Sequence, residues 1–142
     1  MPIPGWAGEY VGIPYARHGR TREGADCWAI PMLIFKERYG IELPSYDQMY
    51  TSYAEEEEVR AMLRGEGSPW RKIELSAAKE GDVVWFRNPG SEAVHVGMML
   101  DGDKFIHNGR HTLYSTIERI SNPVWRNLVV GFYRHGEMEG RA

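Results

Sequence analysis

Between Cys27 and Tyr39 the apolar side chains Ile30, Leu33, Ile34 and Phe35 recur at helical spacing, with Asp26 placed to cap the start and Gly40 to end the run. This predicts a core-facing helix with Cys27 at its amino end. Pro31 predicts a kink there, or a helix start displaced by a residue or two, because proline removes a backbone donor and crowds the preceding turn. A second helix is expected over 53–64. Ser52 and Glu55 make a capping pair, acidic residues 55–58 suit the positive end of the helix dipole, and Gly65 follows.

Beyond this point the pattern changes. Asp82–Phe86, Val94–Leu100, Lys104–Asn108, Leu113–Ile120 and Leu128–Arg134 are short runs rich in β-branched and aromatic residues, separated by turn formers. They predict an antiparallel meander, hence an α+β arrangement with helices first and sheet after. The first 26 residues carry glycine at 5, 8, 12, 19 and 24 and proline at 2, 4 and 14. They are expected to be mostly turns, made locally basic by Arg17, His18, Arg20 and Arg22.

The chain has 142 residues, 42% hydrophobic and 26% charged, with a formal net charge of −3. That length suits one domain over 1–142, and no linker or repeat divides it. Charges of both signs are interspersed and no basic block stands out, so nucleic acid is not an expected partner. No stretch is long and apolar enough to cross a bilayer, and the start lacks a signal-peptide pattern, so neither membrane insertion nor ordinary export is expected. A single cysteine excludes an internal disulfide and a thiol-rich metal cluster. Cys27 is therefore either packing or a reagent, and no cofactor is expected.

A cysteine becomes a strong nucleophile as thiolate, and a helix start with an adjacent imidazolium can lower its pKa from ~8.5 to ~3–4. His95 lies in the run Val94–Leu100, where alternation puts it on the face opposite Val94 and Val96. Asp101, Gly102 and Asp103 form a turn that would pair Leu100 with Lys104, hence Gly97 with His107 and His95 with Gly109. His95 and His107 then become diagonal neighbours at roughly 7–8 Å between backbones, within reach of one hydrogen bond between their rings. His107 would orient His95 as the third member of a triad does. Zinc held by Cys27, His95 and His107 is the other chemistry these residue types allow, although no ligand spacing supports it.

Tyr15 with Gly24, Asp26 and Cys27, then Gly81 and Asp82 ahead of a strand, HVG at 95–97 and FIH at 105–107 together resemble the NlpC-type family of cell-wall cysteine peptidases. The resemblance covers about residues 10–110. It implies a papain-like fold with Cys27 as nucleophile, His95 as base and acid, and His107 as orienter. It also implies that Tyr15 walls the site and that Asp26 receives the free amine of a peptide, with helix capping as the other role for Asp26. Tyr15, Asp26 and Trp28 form the expected substrate-binding set, ordinary aromatic packing being the other reading of Tyr15 and Trp28. The sequence departs from the family pattern at Trp28, where a small residue is common, and at His18, where a glycine is.

The implied substrate is the stem or cross-link peptide of peptidoglycan. DCW at 26–28 and GIELPSY at 40–46 are most similar to stand-alone forms from phage tails and gene-transfer particles, implying a tail location and tail proteins as partners. Two alternatives remain at this stage: a tail-tip structural module without turnover, and a thiol amidase or acyltransferase using the same thioester chemistry.

Overall fold

A computed structural model describes residues 3–44, 69–87, 94–109 and 112–141. The helix expected over 53–64 lies outside the described residues. Helix α1, Ala29–Ile34, continues through one wide π-type turn at Phe35–Tyr39 and stops at Gly40, whose φ of 68° suits a residue without a side chain. The helix begins two residues after Cys27 and is regular at Pro31. That proline is the third helical residue, where the backbone N–H has no partner within the helix, so its loss removes nothing.

Two short strands, β1 (Arg20–Thr21) and β2 (Gly24–Ala25), form a hairpin ahead of α1. The main sheet contains β3 (Trp70–Ile73), β4 (Val83–Arg87), β5 (Val94–Met99), β6 (Lys104–His107), β7 (Thr116–Arg119) and β8 (Val129–His135). Its order is β3-β8-β4-β5-β6-β7 and every pairing is antiparallel.

The α+β expectation holds, but the meander extends only from β4 to β7. Strand β8 returns to lie between β4 and β3, an edge strand that the pattern did not suggest. The physical reason is burial: Gly131–His135 are all enclosed, so β8 needs a neighbour on each side. The run 113–120 becomes a strand only from Thr116, because Leu113 takes φ 66°, outside the extended region.

Helix α1 packs on β5. Ile30, Ile34 and Phe35 join Val83, Trp85, Val96, Met98 and Ile106 in one core. On the opposite face Val84, Phe86, Met99, Phe105 and Phe132 make a second core, covered by Trp125 from the one-turn helix α2, Pro123–Arg126. At the head of β4, Arg134 donates through Nε and Nη2 to the two carboxylate oxygens of buried Asp82, each at 2.8 Å. Gly81, at φ 94°, lets the chain turn there. No helix among the described residues is long and apolar enough to cross a membrane.

Candidate active site

The β5–β6 hairpin sets the geometry. Asp101 Oδ1 accepts from the backbone of Asp103 (2.8 Å) and Lys104 (2.6 Å), closing the turn, and Leu100 N donates to Lys104 O. Met98 pairs with Ile106 and Met99 with Phe105, which is the register expected from the turn residues. His95 and His107 therefore share one face, and His95 Nε2 lies 2.8 Å from His107 Nδ1. Gly97 sits where a Cβ would stand 2.9 Å from the Phe105 ring and 3.4 Å from His107 Cβ, so the glycine of HVG lets β6 approach closely.

Beyond His107 the chain of contacts continues through two residues that pattern reading missed. Glu118 of β7 places Oε2 2.6 Å from His107 Nε2, and its Oε1 accepts from Trp125 Nε1 at 2.9 Å. The Trp125 ring stacks on His95 with centroids 6.0 Å apart and meets His107 edge-on at 4.7 Å. Burial holds the His107 pKa below the ordinary imidazole value, opposed by the hydrogen bond and charge of Glu118. An acidic residue at an even position in a β-rich run was the only signal available for Glu118.

The nucleophile candidate arrives from the other core. Cys27 is 4% exposed and directly precedes Trp28, the residue that opens α1. Its approach segment is clipped to the sheet by Asn108, the residue after His107. Asn108 Nδ2 donates to Ile13 O and to Ala25 O, both at 3.0 Å. Ser115 adds a second tie by accepting from Ile13 N at 2.9 Å and donating to Tyr10 O. Tyr15 is half-buried and bridges Ala25 in parallel, beside the segment that leads to Cys27. His95 and His107 thus share one end of the sheet, and Asn108 ties the segment ahead of Cys27 to that end.

The expected substrate-binding set divides. Trp28 is a correction: it is fully buried, stacks on Trp85 with centroids 6.0 Å apart, and donates through Nε1 to Pro44 O at 2.7 Å. Its polar atom is satisfied inside the fold, so it packs the core and has no face to offer a substrate. Asp26 is likewise fully buried. Its Oδ1 accepts from Ala29 N at 3.0 Å and its Oδ2 pairs with Arg20, so it caps α1 in place of meeting solvent. Tyr15 alone keeps a partly exposed position. His18 adopts φ 60°, a left-handed backbone that glycine takes without strain.

Among the described residues no group of three or more His, Cys, Asp or Glu is placed to hold a metal ion. Both nitrogens of His107 are already engaged, by His95 and by Glu118.

A model of the NlpC/P60 family matches residues 12–134. The "Probable endopeptidase NlpC homolog" of Haemophilus influenzae is 35% identical over 99 residues, covering 70% of this chain and 43% of that protein. The murein DD-endopeptidase MepS/murein LD-carboxypeptidase of Escherichia coli K12 is 27% identical over 118 residues, covering 83% of this chain and 53% of that one. The crystal structure of an NlpC/P60 family protein from Bacillus cereus superposes with a TM-score of 0.64 at 21% identity, covering 95% of this chain and 41% of that one. The chain spans about half the length of the curated relatives it matches.

Proposed function

Because the chain belongs to the NlpC/P60 family, we propose that it is a cysteine peptidase that hydrolyses the stem or cross-link peptides of peptidoglycan. The observation that carries this reading is the His95–His107 hydrogen bond of 2.8 Å, at the end of the sheet to which Asn108 ties the approach to the lone cysteine. The names of relatives support the substrate class, since one of them is a murein endopeptidase.

In the proposed reaction Cys27 gives its proton to His95, and the thiolate adds to the peptide carbonyl carbon. Backbone donors near the start of α1, helped by the Tyr15 hydroxyl, stabilise the oxyanion. Collapse of this intermediate breaks the C–N bond, and His95 returns the proton to the leaving amine. Water, deprotonated by His95, then hydrolyses the thioester and restores the thiol.

Digestion of purified peptidoglycan by the wild-type chain and by Cys27→Ala tests this. Muropeptide fragments released by the wild type alone, identified by mass, are the expected result. Equal silence from both would overturn it in favour of a structural module.

A finer proposal is that the enzyme works on the tail of a phage or phage-like particle, beside tail proteins. DCW at 26–28 and GIELPSY at 40–46 support it. The chain should then be found by mass spectrometry in purified particles, and its absence from them would remove the idea.

A further inference from the structure

Glu118 meets two donors at once, the His107 Nε2 side and the Trp125 indole, at 2.6 and 2.9 Å. A carboxylate is acceptor-only, so whichever imidazole nitrogen faces it carries a proton. His107 therefore holds its proton on Nε2 and leaves a lone pair on Nδ1. That lone pair faces His95 Nε2 at 2.8 Å, which makes His95 Nε2 the protonated nitrogen. His95 Nδ1 is left unprotonated, the state in which an imidazole nitrogen can take a thiol proton. The opposite assignment would run the chain backwards, with His107 Nδ1 donating to His95 Nε2 and the proton of His95 on Nδ1, where it cannot act as a base.

We propose that Glu118, held by the Trp125 indole, is a positioning residue that fixes the tautomers of both histidines and so keeps His95 Nδ1 basic. This rests on the peptidase reading for its consequence, although the tautomer assignment itself does not. No proton passes to Glu118. When His95 accepts the thiol proton it becomes an imidazolium that donates from Nε2 to His107, while His107 continues to donate to the carboxylate.

The need for a carboxylate in place of an amide follows from counting acceptors. Glutamine in the same place offers one oxygen to two donors. If the oxygen serves Trp125, the amide NH2 faces His107 and drives the proton to Nδ1. If the oxygen serves His107, the NH2 opposes the indole N–H. Removing the indole donor should release that conflict, so Glu118→Gln combined with Trp125→Phe should work better than Glu118→Gln alone. A purely packing role for Glu118 predicts the reverse, because the double variant loses more contacts.

The experiment is long-range proton–nitrogen NMR of the 15N-labelled full chain, alongside peptidoglycan turnover. In the wild type, the His107 and His95 signals should each show protonated Nε2 and unprotonated Nδ1. Glu118→Gln should shift both toward Nδ1–H and lower kcat by about 10-fold or more, part of the ~10²–10⁴-fold that general acid–base catalysis contributes. The double variant should recover part of both readouts. A wild-type His107 protonated on Nδ1 would overturn the proposal directly, whether or not any variant folds. Unchanged tautomers and kcat in Glu118→Gln would do so as well. A chain with the expected tautomers but no peptidase activity would instead sink the peptidase reading.

Discussion

Asn108 offers a sharp test of how the site is assembled. Its Nδ2 donates to two carbonyls, those of Ile13 and Ala25, each two residues ahead of an expected site residue, Tyr15 and Cys27. Both carbonyls keep another donor, Ser115 N for Ile13 and Ala16 N for Ala25, so Asn108→Ala leaves neither orphaned. The loss is then two net hydrogen bonds at about 0.5–1.5 kcal/mol each. Asn108 Oδ1 is buried without a partner among the described residues, so removing it offsets part of that, leaving about 1–2 kcal/mol. Asn108→Asp has nearly the same shape but aims an acceptor at two carbonyl oxygens. It should cost about 3–5 kcal/mol, the range for a buried charge stripped of its partner. Urea unfolding measures both, and thermal melts should fall by roughly 3–5 °C per kcal/mol for a domain of this size. Turnover of the folded fraction should fall in the same order. Wild-type midpoints for Asn108→Asp, or an alanine variant weaker than the aspartate one, would refute the reasoning.

Asp82→Ala should lower unfolding stability by about 3–5 kcal/mol, because Arg134 is left nearly enclosed without its bidentate partner. A loss under about 1 kcal/mol in chemical denaturation would show that the pair is solvated. Stability should also fall on mild acidification. Burial depresses the folded pKa of His107 and of His135 below the ordinary value of about 6.5, so the unfolded chain binds more protons as pH drops. The contribution is complete above that value and is lost as pH falls from it toward the folded pKa. Melting temperature should therefore be flat above about pH 7.5 and decline below about pH 6.5. A melting temperature that rises on acidification through that range would contradict the assignment.

What was legible in the sequence was local. The Asp101–Asp103 turn and the two-residue period of the flanking strands were enough to place His95 against His107, because a tight hairpin leaves one register. Gly40 marked a helix end by its need for a left-handed backbone. Glu118 and Trp125 were not legible: their approach depends on how the chain travels from Asn108 to Thr116. That path is set by the ties of Asn108 and Ser115 to residues about a hundred positions away and by the left-handed Leu113, none of which leaves a periodic trace. Trp28 misled for the opposite reason. Adjacency to a candidate nucleophile suggests a cleft, but the Trp28 side chain turns into the core against Trp85. The internal position of β8 is a long-range outcome, visible beforehand only as unusual apolarity late in the chain.

The Asn108 clip also dictates an order of events during synthesis. It joins partners 95 and 83 residues apart, so the segment leading to Cys27 lacks these ties until Asn108 has been made. At about 5–20 residues per second, Cys27 leaves the ribosome roughly 5–20 s before Glu118 does. Through that interval the growing polypeptide carries a thiol but no assembled relay, and a truncated product ending before β7 would lack the Glu118 carboxylate that meets His107. On the proposed peptidase reading, catalysis would wait until β7 has joined the sheet.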